Sequence, residues 1–288
     1  MSVCRLRLTV LLLALAAMLL APPASAGRDA GLAALQVALH ARGFYGGSID
    51  GLKGPTTTRA IKRFQRRAGL VPDGVPRPST RRALGAYGRH ILGSRPLTRG
   101  AAGWDVAALQ FLLAWHGFPS ATIDGGLGQH TERALRRFQR WSGLKADGVA
   151  GATTFAALRT APPSCPIELA WPVATQVGDP FGPRGIRFHA GIDLIASAGT
   201  PVGAAAPGRV VFAHWAAGGW GNLVVVAHGD GVRTLYAHLS RIDVKLNQFV
   251  STGARLGAVG TTGDATGPHL HFEVRLRGAA VDPSTALP

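Results

Sequence analysis

The chain has 288 residues, 31 Lys+Arg against 15 Asp+Glu, and two Cys; at roughly 150 residues per domain it holds two domains or three small ones. A hydrophobic content of 47% excludes wholesale disorder. The one long apolar run, Leu8–Leu20, falls short of the ~20 residues of a spanning helix, which argues against an integral membrane protein.

That run reads as the core of an export signal over residues 1–26. Arg5 and Arg7 precede it, and Ala24-Ser25-Ala26 follows as a cleavage site, so a mature chain starting near Gly27 is expected. Cleavage removes Cys4 and leaves Cys165 alone in a Pro-rich stretch with no His/Asn partner pattern, where it reads as a structural thiol. Residues 27–160 carry 20 Lys+Arg and 7 Asp+Glu, whereas residues 161–288 carry 9 and 8. A basic front half implies an anionic partner. Export turns that partner away from nucleic acid and toward the cell envelope; a basic surface kept for solubility is the alternative.

A shift of 74 positions superimposes two segments without a gap. It pairs Leu35-Gln36 with Leu109-Gln110, Ile49-Asp50-Gly51 with Ile123-Asp124-Gly125, Thr57 with Thr131, Phe64-Gln65 with Phe138-Gln139, and Asp73-Gly74-Val75 with Asp147-Gly148-Val149. Such self-similarity marks two copies of one unit, expected over 28–86 and 98–159. Within the first copy, Leu32, Leu35 and Leu39 at helical spacing predict a helix stopped by Gly43. A second helix is predicted over Thr56–Ala68, and a short third one ends near Leu84. The second copy repeats them at Val106–His116, Thr131–Ser142 and Thr153–Leu158. Each copy is thus a small three-helix bundle with a core so small that little stability is expected of it alone.

Leu-Gln, Gly-Phe, Asp-Gly-x-x-Gly, Thr-x-x-Ala, Phe-Gln and Gly-Leu-x-x-Asp-Gly-Val together resemble the three-helix peptidoglycan-binding domain of wall hydrolases, which implies peptidoglycan as partner. The first copy has Arg77 where the second has Gly151, so its last turn is expected to be altered. Basic positions also recur, with Lys62, Arg63 and Arg66 matching Arg136, Arg137 and Arg140, a face suited to anionic wall polymers.

Residues 160–170 read as a Pro-rich linker. From 171 to 288 short apolar runs alternate with Gly, and Pro201–Ala213, Asn222–His228, Arg233–Leu239 and His269–Arg277 read as strands of an all-β domain. Three polar clusters interrupt it: His189 with Asp193, then His238, then His269 with His271. Strand residues two or four apart share a face, so each pair is expected to look into one cleft from neighbouring strands. Two imidazoles and a carboxylate suit a borderline ion such as Zn²⁺ and leave a fourth position for water. His228, in a His-Gly-Asp-Gly turn, reads as structural.

Phe181-Gly182-x-Arg184, His189-x-Gly191-x-Asp193, Thr234-x-Tyr236-x-His238-Leu239-Ser240 and Gly267-Pro268-His269-Leu270-His271-Phe272-Glu273 make this segment resemble the lysostaphin-type zinc endopeptidases. The resemblance implies an all-β peptidase domain behind two all-α repeats. It implies one Zn²⁺ per chain held by His189, Asp193 and His271, with His238 and His269 as the pair that handles protons and faces the oxyanion. An exported, monomeric endopeptidase of cell-wall peptidoglycan, acting in the wall or periplasm, is therefore expected. The competing readings are an inactive relative that regulates other hydrolases, such relatives having lost metal ligands, and a wall-binding protein whose β domain is only scaffold.

Overall fold

The computed structural model describes residues 27–288; the signal segment expected over 1–26 lies outside them. The first repeat forms helices α1 (Ala30–His40), α2 (Pro55–Arg67) and α3 (Pro78–Ala83), and the second forms α4 (Trp104–Trp115), α5 (Gln129–Trp141) and α6 (Ala152–Ala157). Local chemistry sets their starts. Asp29 Oδ1 accepts from the Leu32 amide at 2.6 Å to cap α1, and α2 and α3 open on prolines, whose missing N–H costs nothing in a first turn. Among the described residues no helix is long and apolar enough to cross a membrane.

The repeated motifs turn out to be one device used four times. A buried glutamine reaches across to an Asp-Gly turn and holds both sides of it. Gln36 Nε2 donates to Asp50 Oδ1 at 2.6 Å and to Thr57 Oγ1 at 3.1 Å, while the Gly51 amide donates back to Gln36 Oε1 at 2.9 Å. Gln65 does the same with Asp73, Gly74 and Thr80, Gln110 with Asp124, Gly125 and Thr131, and Gln139 with Asp147, Gly148 and Thr154. All four glutamines are buried, so every amide hydrogen and oxygen must find a protein partner. The altered turn expected at Arg77 does not occur. Arg77 and Gly151 both have extended backbone ahead of a six-residue helix, a conformation any residue adopts, and the Arg77 guanidinium pairs with Asp73.

The remaining chain is built of strands: β1 (Val177–Asp179), β2 (Gly182–Arg184), β3 (Arg187–His189), β4 (Ile192–Ile195), β5 (Pro201–Gly203), β6 (Gly208–Ala216), β7 (Gly221–Ala227), β8 (Val232–Ile242), β9 (Phe249–Val250), β10 (Arg255–Val259), β11 (His269–Leu276) and β12 (Ala279–Val281). Ten of them form one antiparallel sheet whose main path runs β1-β4-β11-β8-β7-β6-β9, and β2 and β3 form a separate hairpin. The Leu223–Val226 run alternates between faces. Val224 and Val226 join the main core, whereas Leu223 and Val225 meet Leu235 and Ala237 on the other side. The single strand expected over Pro201–Ala213 is two, β5 and β6. Between them the Ala204 amide bonds to Ala254 O, and Pro207, which has no N–H, stands just ahead of β6.

The repeats and the sheet share a continuous core that runs from Ala33 through Ala114 and Trp115 to Val281. The β2–β3 turn is gripped from both repeats at equivalent positions: the Ile49 amide donates to Gly185 O at 2.9 Å and the Ile123 amide to Ile186 O at 2.7 Å. Trp115 packs edge-on against Phe181 and Phe188 of this hairpin region, with ring centres 6.1 and 5.2 Å away, and the Arg28 guanidinium lies 4.3 Å over its ring. The stretch expected as a linker is docked too, Leu169 being buried and its amide bonded to Ala286 O and that of Ala170 to Ala205 O.

Candidate metal centre

His189 ends β3, Asp193 lies in β4, His238 in β8, and His269 and His271 in β11. His189 and Asp193 therefore do not share one strand face as their spacing suggested. Ala190-Gly191 breaks the strand between them, and Asp193 enters the site because β4 pairs with β11 in a register that sets Asp193 directly opposite His271. His238 has φ +61, a left-handed conformation that costs a non-glycine residue about a kcal/mol or more. The strain accompanies register shifts in β8's pairing with β7 and β10, bulges that re-aim a side chain.

Three donor atoms converge. Asp193 Oδ1 lies 3.2 Å from His189 Nε2 and 2.9 Å from His271 Nδ1, and those two nitrogens are 3.0 Å apart. His269 Nε2 stands 3.8 Å from the same oxygen, and the His238 ring centre is 4.8 Å from that of His269 and 5.9 Å from that of His271. All five residues are thus brought together.

The outer nitrogen of each imidazole is tied down. His189 Nδ1 donates to Pro180 O at 3.0 Å, His238 Nδ1 to Thr262 O at 2.8 Å, and His269 Nδ1 to Gly267 O at 2.8 Å. His271 Nε2 donates to Glu273 Oε1 at 3.2 Å, and Arg275 holds the other Glu273 oxygen at 2.7 Å. Carbonyls and carboxylates only accept, so each tied nitrogen carries a proton, and in the neutral ring the inner nitrogen is the one left to bind; at His271 that inner Nδ1 faces the Asp193 carboxylate, where a proton competes for the same place. The second Asp193 oxygen is held at 2.9 Å by Arg184, which also pairs with Asp179 at 2.6 Å. Pro180, Thr262, Gly267 and Glu273 were not singled out as supports by the sequence. Gly267 and Glu273 left a trace there, both standing in the motif over 267–273, Glu273 two residues from His271 and hence on its face.

Three electron-rich atoms facing one another at 2.9–3.2 Å repel unless positive charge lies among them. In a tetrahedral zinc site, bonds of ~2.0–2.2 Å place the ligands roughly 3.3 Å apart, so this donor set fits Zn²⁺ with small outward movement. A proton is the competitor. Burial pushes the His271 imidazole down, but hydrogen bonds to Asp193 and Glu273 more than offset this and raise it to about 9. Burial likewise pushes the Asp193 and Glu273 carboxyls up, and their histidine and arginine partners outweigh it, holding both below the usual carboxylate range. His238, lacking a carboxylate partner, is lowered by burial.

Two kinds of unit are present by comparison with known families. Residues 187–283 match the profile of peptidase family M23, and residues 28–84 and 103–158 each match that of a peptidoglycan binding domain. The chain carries an M23 peptidase domain behind two peptidoglycan binding domains. Its relatives include the DD-carboxypeptidase/endopeptidase Mpg of Neisseria meningitidis, 46% identical over 123 residues that cover 40% of this chain and 28% of Mpg. The murein hydrolase activator NlpD of Escherichia coli is 37% identical over 118 residues, 41% of this chain and 31% of NlpD. The chain thus spans less than a third of the length of either relative. The catalytic domain of lysostaphin from Staphylococcus simulans is 36% identical, over 38% of this chain and 90% of that one, with a TM-score of 0.37. A zinc-containing peptidase from Vibrio cholerae is 37% identical, over 41% of this chain and 40% of that one, with the same TM-score of 0.37.

Proposed function

We propose that the protein is an exported, zinc-dependent endopeptidase that hydrolyses peptide bonds of peptidoglycan, with His189, Asp193 and His271 as zinc ligands and His238 and His269 as catalytic residues. The observation that carries this reading is the convergence of two imidazole nitrogens and a carboxylate oxygen at 2.9–3.2 Å beside two further imidazoles whose Nδ1 atoms are tied to backbone carbonyls. Held by His189, Asp193 and His271, zinc would supply Lewis-acid polarisation and activation of water near neutral pH. His269 and His238, each with Nδ1 occupied, offer Nε2 to the reacting atoms. A neutral imidazole takes a proton during attack on the scissile carbonyl, and in its protonated form donates a hydrogen bond to the developing oxyanion. Burial keeps His238 neutral near pH 7, the state in which it accepts. Arg184 and Glu273 position Asp193 and His271 without touching substrate.

The likeness to a murein hydrolase activator sets the competing reading, and the complete donor set speaks against it. Incubation of the protein with purified peptidoglycan tests the two. New free amino groups that appear with zinc, vanish with a chelator and are absent for His271→Ala support hydrolysis. A folded protein that retains no zinc and releases nothing identifies a regulator.

A further inference from the structure

Repeat 2 and the peptidase domain meet along a cleft of about 600 Å³ lined by Phe118, Arg137, Arg140 and Trp141 on one side and Arg275, Arg277 and Gly278 on the other. The contact that forms it is specific. Trp141 Nε1 donates to Leu276 O at 3.2 Å and Arg137 to Gly278 O at 3.4 Å, both at the β11–β12 turn, where Arg277 and Gly278 have φ +50 and +89. Two guanidiniums lie against the cleft's own aromatic rings, Arg137 at 5.4 Å from Phe118 and Arg277 at 5.2 Å from Trp141, while Arg275 lies 5.6 Å over Trp220 outside it. Stacking of this kind fixes the plane and leaves the N–H edges for a ligand. Among the described residues Arg137, Arg140 and Arg277 form no ion pair, and Arg275 is turned to the buried Glu273. Arg136, by contrast, is occupied by Glu132. Four cations in one cleft with a single, already committed carboxylate make a site short of negative charge. Burial, together with the neighbouring Arg275 and Arg140, holds the Arg137 guanidinium below its ordinary range.

Repeat 1 does not reproduce this. Arg63 stacks on Phe44 at 6.0 Å, but Arg67 stands at the position of Trp141. The cleft belongs to the junction, and β11 runs from it to the metal centre. Arg275 is four residues from His271, or ~13 Å along a strand. About four extended peptide residues span that distance, so a peptide held at the metal centre is long enough to place a carboxylate in the cleft, whereas a separate phosphate polymer has no such connection to the reacting bond.

We infer that this cleft is a subsite for the free carboxylates of peptidoglycan stem peptides, held by bidentate arginine contacts. The inference rests on the reading of peptidoglycan as substrate. Its test uses the full chain and a cross-linked disaccharide–peptide dimer, prepared with native carboxylates and with those carboxylates amidated. Binding is measured in chelator, where no turnover occurs. The double variant Arg137→Gln/Arg140→Gln is expected to bind the native dimer on the order of tenfold more weakly, a loss that shrinks as salt rises, and to bind the amidated dimer as the parent does. Arg277→Asn, on an exposed turn that tolerates Asn, gives a smaller loss in the same sense and guards against a misfolded double variant. Unchanged affinity in both variants overturns the subsite, as does an equal loss for the amidated dimer. So does arginine-dependent competition by a glycerol phosphate polymer at lower concentration than the native dimer. Zinc-dependent cleavage of the native dimer by the parent protein is scored separately. Its failure removes the hydrolase reading and leaves the binding contrast standing.

Discussion

At the scale of single residues, the metal centre is a contest between an ion and a proton for the same lone pairs. Folding raises His271 from 6.5 to about 9, so its contribution to the metal-free protein is fully present below pH 6.5 and is lost as pH rises through about 9. Zinc needs the deprotonated ring and gains over the same window. Calorimetric melting of the metal-free protein is therefore expected to show a falling Tm between pH 6.5 and 9, while competitive zinc titrations show rising affinity; a flat zinc affinity across that range contradicts the assignment of His271 as a ligand. Glu273 tests the support behind the ring. Its side chain is 4% exposed, and Glu273→Ala leaves both His271 Nε2 and Arg275 without their acceptor. Zinc affinity is expected to drop roughly 10–100-fold, as for other residues that orient a ligand from behind, with the far-ultraviolet circular dichroism unchanged.

At the scale of elements, the four glutamine-held turns explain why so much of the repeat is spelled alike in both copies. Gln139→Leu is expected to destabilise the protein by about 2–3 kcal/mol in urea unfolding, because the Gly148 amide and the Val149 carbonyl lose a buried partner. A cost under about 0.5 kcal/mol would show that water satisfies those groups instead. The helices were legible in the sequence because apolar residues three and four apart are a local signal, and Gly43 and the Asp-Gly pairs mark their ends. The glutamines stood in plain view as Leu-Gln and Phe-Gln, yet their work depends on partners 8 to 21 residues away, which no periodicity reports. The five site residues were legible as residue types in a family pattern. Their arrangement was not. Asp193 faces His271 through strand register, and His238 through a bulge, and both are settled by pairings between segments far apart in the chain. Strands β1 and β2 escaped the reading, and β3 and β4 were read as one strand through His189 and Asp193, because runs of three or four residues carry too little alternation to stand out.

At the scale of the whole molecule, Gly117 marks how closely the halves fit. Its backbone has φ +83, and a Cβ there would run into the Ala280 backbone, whose amide donates to Gly117 O at 3.0 Å. Gly117→Ala is expected to lower Tm and to speed hydrogen exchange along β12 without altering the isolated chemistry of the proposed zinc ligands. Trp115→Ala removes the ring that packs on Phe181 and Phe188 and should cost about 3–5 kcal/mol. Exchange is expected to quicken first over residues 182–189, and equal protection in both proteins would show that the hairpin stands without the repeats. The double grip on the Gly185-Ile186 turn also bears on how an insoluble substrate is handled. A binding unit on a loose tether lets an enzyme sweep a circle and cut anywhere within it. Under the proposed function, the holding surface and the cutting groove are joined through one continuous core, so breaks would fall at a set reach from the point of purchase, and fragment lengths would report that reach.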